Sequence, residues 1–414
     1  MAYNGCYGVA VMGHGVVGSG VCEILYHKKD LLTQKSGKTP VLKRILDLRK
    51  FPEAPYASLF TDDFSLIEQD PEIAVVAEAM GGLKPAYEYV KRCLLAGKSV
   101  VTSNKELVAA KGAELLEIAA EKGVSFLFEA SVGGGIPVIH PVCRCMAANQ
   151  ITEIAGILNG TTNFILSKMI YEHTSFEQAL ATAQELGYAE RDPAADVDGH
   201  DACRKICILA SLMLGKEVSP TEVEPQGIRD ISLADVSYAG AYGSVIKLIG
   251  RAKLLENGKA AVTVSPALVP KSGRLAGIDG VFNGVVVRGD EVGELLFFGR
   301  GAGKEATASA VVSDIVEAAG QDGNPYLFWK GGCGNVDTTG ADQMAYYFRT
   351  ERSELLPGLA QELFGEVCFL SGEDTPQDQM AFVTGVMEEK KLLAGADTLA
   401  KKLPVYAALR VLDY

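Results

Sequence analysis

The sequence predicts an α/β protein: a Rossmann-like doubly wound parallel sheet, then an α+β domain, then a small C-terminal ferredoxin-like unit. Three observations predict it. Over the first third, short apolar runs alternate with longer helical patterns, which implies crossover connections and parallel strands. The loop Gly13-His14-Gly15-Val16-Val17-Gly18 follows the first apolar run and opens a helix. From residue 344 onward the pattern reads strand, helix, strand, strand, helix, strand, the split βαβ order.

The elements follow in chain order. YGVAVM (7–12), VLKRILD (41–47), IAVVAEA (73–79), SVVT (99–102) and SFLFE (125–129) read as strands. Helical patterns over 85–96 and 107–122 lie between them. At 151 the pattern becomes strand, Gly turn, helix. Ser175-Phe-Glu-Gln178 is a capping box, so a helix starts there and runs to 186. A helix is expected over 201–214 and strands over 262–269, 281–288 and 294–298. GRGAGKEATASAVVSDIVEAAG (299–320) reads as a Gly turn opening a helix that returns to the first domain. The expected organisation is 1–140 plus 304–325 for dinucleotide binding, 141–303 for catalysis and dimerisation, a linker over 326–343, and a separate unit over 344–414.

The chain has 414 residues, 48% of them hydrophobic, and a formal charge of -13. That length suggests two or three domains, each with a real core. The acidic balance argues against a nucleic-acid partner, which wants a basic face. No apolar run is long enough to span a membrane, and no secretory leader is expected. The nine cysteines include no Cys-x-x-Cys pair, so buried free thiols in a reducing cytoplasm are expected.

In the Gly loop, Gly13 permits the tight turn, Gly15 the approach of a pyrophosphate, and Gly18 the packing of helix on strand. The helix amides, from Val16 and Val17 onward, face the phosphates with partial positive charge. His14 reads as an exposed loop side chain. Asp47 ends the second strand and suits ribose hydroxyls, which favours NAD. Arg49 and Lys50 suit a 2′-phosphate, which favours NADP. The choice stays open.

The densest chemistry is ELGYAERDPAADVDGHDACRK, with Glu190, Asp192, Asp196, Asp198, Asp201 and Lys205. Asp201 lies near a helix N-terminus, and Lys205 is one turn on along the same face. A calcium loop does not fit this spacing. A surface ion pair and a positioned lysine proton donor both do. Lys105, at the carboxyl end of the fourth strand, is a second candidate. Three consecutive glycines after Glu129 can hold a cation through that carboxylate and backbone oxygens.

Together these residues resemble the homoserine dehydrogenase family. Ala183-x-x-x-Gly187-Tyr188-Ala189-x-x-Asp192-Pro193-x-x-Asp196-Val197-x-Gly199-x-Asp201-x-x-x-Lys205 looks like that family's signature. GHGVVGSGV, VVTSNKELVA, FEASVGGGIPV, NGTTNFIL and GRGAGKEATASAVVSD look like its further blocks, in its order. The tail resembles an ACT domain, an amino-acid-binding regulatory module. The arrangement resembles the monofunctional bacterial form, because Gly13 lies too near the start for a preceding kinase domain.

The resemblance implies interconversion of L-aspartate 4-semialdehyde and L-homoserine with NADP or NAD, on the route to threonine, methionine and isoleucine. It implies Lys205 as proton donor, with Lys105 touching cofactor and substrate. Glu190 and Asp201 would grip the substrate, with Asp196 supporting Lys205 and Gly187 and Tyr188 lining the site. Gly81, Ser103, Gly187, Gly301 and Gly303 would join Gly13, Gly15, Val16, Val17, Gly18, Arg49, Lys50 and Lys105 at the cofactor. Glu129, Val132, Gly134 and Ile136 would form a sodium site. A homodimer or homotetramer is expected, with threonine or another end product bound near Pro357-Gly358.

Overall fold

The structure, a computed structural model, describes residues 5–320, 328–372 and 374–414. The expected first-domain end at 321–325 and the first two linker positions lie outside these. The chain divides into two compact units. One comprises Met1–Gln150, Cys207–Pro220 and Gly299–Cys333; the other comprises Ile151–Ile206, Thr221–Phe298 and Gly334–Tyr414.

The first unit holds a six-stranded sheet built from β1 (Cys6–Met12), β2 (Thr39–Leu46), β3 (Phe60–Thr61), β4 (Ile73–Glu78), β5 (Ser99–Thr102) and β6 (Phe126–Leu127). Its order is β3-β2-β1-β4-β5-β6, and every pairing is parallel. Val9, Ala10, Val11 and Met12 are wholly buried, as expected of a strand covered on both faces. The order reverses between β1 and β4, so their carboxyl ends open the crevice where ligands bind in such sheets. Helix Lys304–Gly320 packs closely on helix Val16–His27: a Cβ at Gly20 would lie 2.9 Å from that of Ala308. The two-residue β3 carries too little pattern to be read from sequence.

The second unit holds β7 (Ile151–Ile157), β8 (Ser244–Leu254), β9 (Ala260–Pro270), β10 (Phe282–Gly289), β11 (Gly293–Arg300), β12 (Gln343–Glu351), β13 (Val367–Leu370), β14 (Gln379–Thr384), β15 (Met387–Glu388) and β16 (Val405–Val411). They form one sheet, ordered β11-β10-β7-β8-β9-β16-β12-β14-β13, with β15 beside β12. The sheet is mixed: β7–β8 and β8–β9 are antiparallel, whereas β16 runs parallel to β9. The capping box at Ser175 and Gln178 forms, and it starts helix Phe176–Glu185.

The tail does not stand apart as a separate unit. Its strands continue the second unit's sheet through Arg410 opposite Ala267 and Val411 opposite Leu268. Phe348, Phe364 and Phe382 stack beneath its two helices, Leu356–Phe364 and Glu389–Ala400. Its other face is pinned by Arg349, whose guanidinium donates to both carboxylate oxygens of Asp235 at 2.7 and 2.9 Å. Asp235 belongs to helix Leu233–Ala241, which the sequence reading missed along with β8.

Candidate active site

The first unit presents its predicted cofactor loops at the carboxyl ends of β1, β2, β4 and β5. Gly13 adopts φ +92°, and a Cβ at Gly18 would lie 1.9 Å from the Gly13 carbonyl oxygen. Only glycine serves at either position. A Cβ at Gly15 would meet nothing within 4 Å, and no side chain caps helix Val16–His27. Its first amides are therefore left for an anion, and the loop fits a pyrophosphate.

Asp47 is not left for ribose. Its Oδ1 accepts from the Arg49 backbone amide at 2.9 Å and from Arg49 Nε at 3.0 Å. Its Oδ2 accepts from the His14 amide at 2.7 Å and from Arg49 Nη2 at 2.9 Å. Four donors fill both oxygens, and the Arg49 side-chain bonds hold this carboxyl well below the usual carboxylate range. Arg49 and Lys50 are exposed.

His14 is buried rather than exposed, at 8%. Its ring sits edge-on to Phe51, Tyr56 and Phe60, and Nε2 lies 3.2 Å from the Tyr56 hydroxyl. Nδ1 has no partner. Burial lowers the pKa, against the opposing pull of Asp47. The unfolded chain therefore takes up a proton here before the folded chain does. Stability from this contact is intact above about pH 6.5 and falls as pH drops below it. Melting curves between pH 7.5 and 5.5 should show a smaller acid-side loss in His14→Leu than in the parent; equal losses would refute the assignment.

At the end of β5, Thr102 and Ser103 lead to Asn104, which caps helix Lys105–Lys122 by accepting the Leu107 amide at 3.1 Å. Lys105 is half-buried at that helix start. Gly81 follows β4 with φ +76°, and Gly303 precedes helix Lys304–Gly320 with φ +119°. Gly301 lies close to Gly134, where a Cβ would come within 2.3 Å of the Gly301 carbonyl oxygen. The Glu129 carboxylate is occupied by the amides of Val138, Ile139 and His140 at 2.6 to 2.8 Å. Among the described residues, no three His, Cys, Asp or Glu side chains gather to hold a metal.

The second unit brings the acid and lysine set together at the carboxyl end of β7. Asp201 and Lys205 lie on helix His200–Leu214, and Lys205 Nζ is 3.0 Å from Asp201 Oδ2. Both are buried, at 7% for Lys205 and 4% for Asp201, so this is not a surface ion pair. Nζ also donates to the Leu158 carbonyl at 2.7 Å. Asn159, which sequence reasoning passed over as part of a turn, binds the acids: its Nδ2 donates to Asp196 Oδ1 at 2.7 Å and to Asp201 Oδ2 at 2.9 Å. Its Oδ1 caps helix Gly160–Glu172 through the Thr162 amide. The carboxylate beside Lys205 is thus Asp201, with Asp196 joined to it through Asn159. Asp198 instead pairs with Arg229. Glu190 and Tyr188 are exposed on the preceding loop, where Gly187 takes φ +75°.

A family profile described as homoserine dehydrogenase matches residues 137–316, and one described as homoserine dehydrogenase, NAD binding domain, matches 13–129. A homoserine dehydrogenase of Synechocystis is 44% identical over 334 residues, covering 77% of this chain and 76% of the relative. That of Bacillus subtilis is 42% identical over 312 residues, covering 74% of this chain and 72% of the relative. The crystal structure of a homoserine dehydrogenase from Thiobacillus denitrificans superposes with a TM-score of 0.89 at 35% identity, covering 99% of this chain and 98% of that one. A hyperthermophilic archaeal homoserine dehydrogenase in complex with NADPH superposes with a TM-score of 0.65 at 26% identity, covering 76% of this chain and 98% of that one.

Proposed function

The chain belongs to the homoserine dehydrogenase family of oxidoreductases, and from that premise we propose that Lys205 moves the proton while the first unit holds the dinucleotide. The observation that carries this reading is the buried ammonium of Lys205, fixed by Asp201 Oδ2 at 3.0 Å and the Leu158 carbonyl at 2.7 Å. When bound, the nicotinamide supplies or accepts hydride. In the reducing direction, the aldehyde carbon of aspartate 4-semialdehyde gains hydride as its oxygen takes a proton from Lys205 Nζ. In the oxidising direction, Lys205 in its neutral amine form receives the homoserine hydroxyl proton and becomes the ammonium. Asp201 orients the ammonium, and Asn159 ties Asp201 to Asp196. Glu190 and Tyr188 face solvent, where they can meet the substrate's charged end, and Lys105 serves the cofactor. Homoserine-dependent reduction of NADP⁺ or NAD⁺, followed at 340 nm, tests the activity; its absence in folded protein would reject the reading.

The cofactor preference is for NADP. Asp47 has no lone pair left for ribose hydroxyls, and it aims Arg49 so that further guanidinium N–H groups remain for a 2′-phosphate, with Lys50 alongside. The archaeal relative solved with NADPH supports this choice. Arg49→Ala should raise KM for NADP⁺ roughly ten- to hundredfold and leave KM for NAD⁺ within about threefold. Equal changes in both would overturn the preference.

For the implied sodium ion, Glu129 Oε1 is filled by the Val138 and Ile139 amides, whereas Oε2 accepts only the His140 amide, so Oε2 and the carbonyls of Val132, Gly134 and Ile136 would hold it. The tail is an ACT-like module on the strength of its strand order β16-β12-β14-β13, with threonine as effector near Pro357-Gly358. Self-association uses the terminal strand β11, where Phe298 is 56% exposed and stacks on Phe282. Among the described residues, no helix is long and apolar enough to cross a membrane. A cytoplasmic location accords with the nine free thiols.

A further inference from the structure

Of the buried carboxylates that the mechanism above does not use, one stands at the carboxyl end of β4, beside the cofactor crevice. Glu78 ends β4 and is 0% exposed. Its Oε1 accepts the amides of Met80 and Gly81 at 2.7 and 3.2 Å, and its Oε2 accepts the Thr102 hydroxyl at 2.6 Å. Thr102 Oγ1 in turn accepts the Asn104 amide at 2.9 Å. Asn104 Nδ2 closes the circuit on the Gly82 carbonyl at 2.7 Å. Gly81 and Gly82 both adopt left-handed backbone, with φ +76° and +68°. Two successive glycines in that region have many alternatives, so something must select one shape.

We infer that Glu78 is a positioning residue that sets the Met80–Gly82 loop and the start of helix Lys105–Lys122 in register with each other, and so places Lys105 against the bound cofactor. The inference rests on the reading of Lys105 and Gly81 as cofactor-side groups. Burying a carboxylate among backbone donors, with no cation among its described partners, is costly for stability alone, and burial raises its pKa. An apolar residue would suit a purely structural strand end better. Here each oxygen instead binds a different loop: Oε1 the loop after β4, Oε2 the loop after β5. Lys105 follows directly on the cap residue that the second loop fixes.

The experiment is a double-mutant cycle on the full chain. Glu78→Gln keeps the shape but puts an NH₂ donor where an acceptor stood. It should lower kcat/KM for homoserine about tenfold to a hundredfold, the scale of a misplacement near 1 Å. In a Lys105→Met background the same change should cost less than about threefold, because the two act through one point. Dissociation constants for NADPH, read by its fluorescence, give the cycle a second readout that needs no turnover. Thr102→Val removes the linking hydroxyl at constant volume and should reproduce the Glu78→Gln kinetics, whereas Thr102→Ser should restore parental values. Equal factors in both Lys105 backgrounds, or Thr102→Val with parental kinetics, would overturn the inference. Absence of homoserine turnover in the parent would reject the dehydrogenase reading instead, and the NADPH cycle would still decide the role of Glu78.

Discussion

Lys205→Met should lower kcat by about 10²- to 10⁴-fold in either direction of the reaction, the usual range for a positioned general acid or base. KM for homoserine should move far less, because Asp201, Asp196 and the exposed Glu190 remain. Methionine, however, also leaves Asp201 buried at 4% exposure without its lysine, so a loss of stability is expected alongside. Lys205→Arg separates the two effects. A guanidinium keeps the charge beside Asp201 but does not give up its proton at accessible pH. The arginine variant should therefore melt near the parent and yet stay severely slow. An arginine variant with nearly full kcat would reduce Lys205 to an electrostatic role and end the proton-transfer assignment.

Much of this arrangement is legible in the sequence because the relevant physics is local. The alternation of apolar runs and helical patterns gives the parallel sheet, and the Gly loop lands at the carboxyl end of β1. The four-residue spacing of Asp201 and Lys205 places both on one helix face. What escapes the sequence depends on distant partners. SVIKLIGRAKL, which forms β8, looks too basic for a central strand. Yet Lys247 is fully buried, with Nζ bonded to Asn163, Asp279 and the Ile278 carbonyl. Arg251 is likewise buried among acids. Charges matched across the sheet hide the alternation that marks a strand. His14 reads as exposed because its aromatic surroundings, Phe51, Tyr56 and Phe60, come from a segment well downstream. Asp47 is visible as a candidate ribose ligand, but only the folded geometry shows four donors already filling it. Asn159 precedes a glycine and so reads as a turn residue, although its amide joins the carboxylates of Asp196 and Asp201. The tail's strands join the rest of the sheet through a two-residue parallel pairing, too short to leave a pattern.

Breaking the buried ion network around Arg251 should be the most damaging single change to the second unit. Arg251 Nε lies 2.6 Å from Glu153 Oε1 and donates to the Tyr414 hydroxyl at 2.8 Å, and its Nη1 pairs with Asp342. Tyr414 donates to the same Glu153 oxygen at 2.5 Å, and Arg288 takes the other at 2.8 Å. The last residue of the chain is thereby locked onto β7. Arg251→Met keeps the stem but leaves two buried carboxylates short of a cation, a loss of about 3–5 kcal/mol. For a unit of this size that lowers the melting temperature by roughly 6–20 °C. The pH dependence gives a sharper test. In the parent, burial raises the carboxyl pKa values of Glu153 and Asp342, but Arg251 and its neighbours outweigh it and hold both below normal. Their stability is present above the unfolded carboxylate pKa, about 4, and is lost as pH falls through the lower folded values. Without Arg251, Glu153 keeps Arg288 and Asp342 keeps Lys253, so both carboxyls are held down less strongly and the variant should gain less stability than the parent as pH rises from about 3 to about 6. The gap between the two proteins must therefore widen over that interval; a constant gap would show that Arg251 acts by packing alone. Because β7 runs directly into Leu158, whose carbonyl holds Lys205, the variant should also show a lowered kcat below its melting transition.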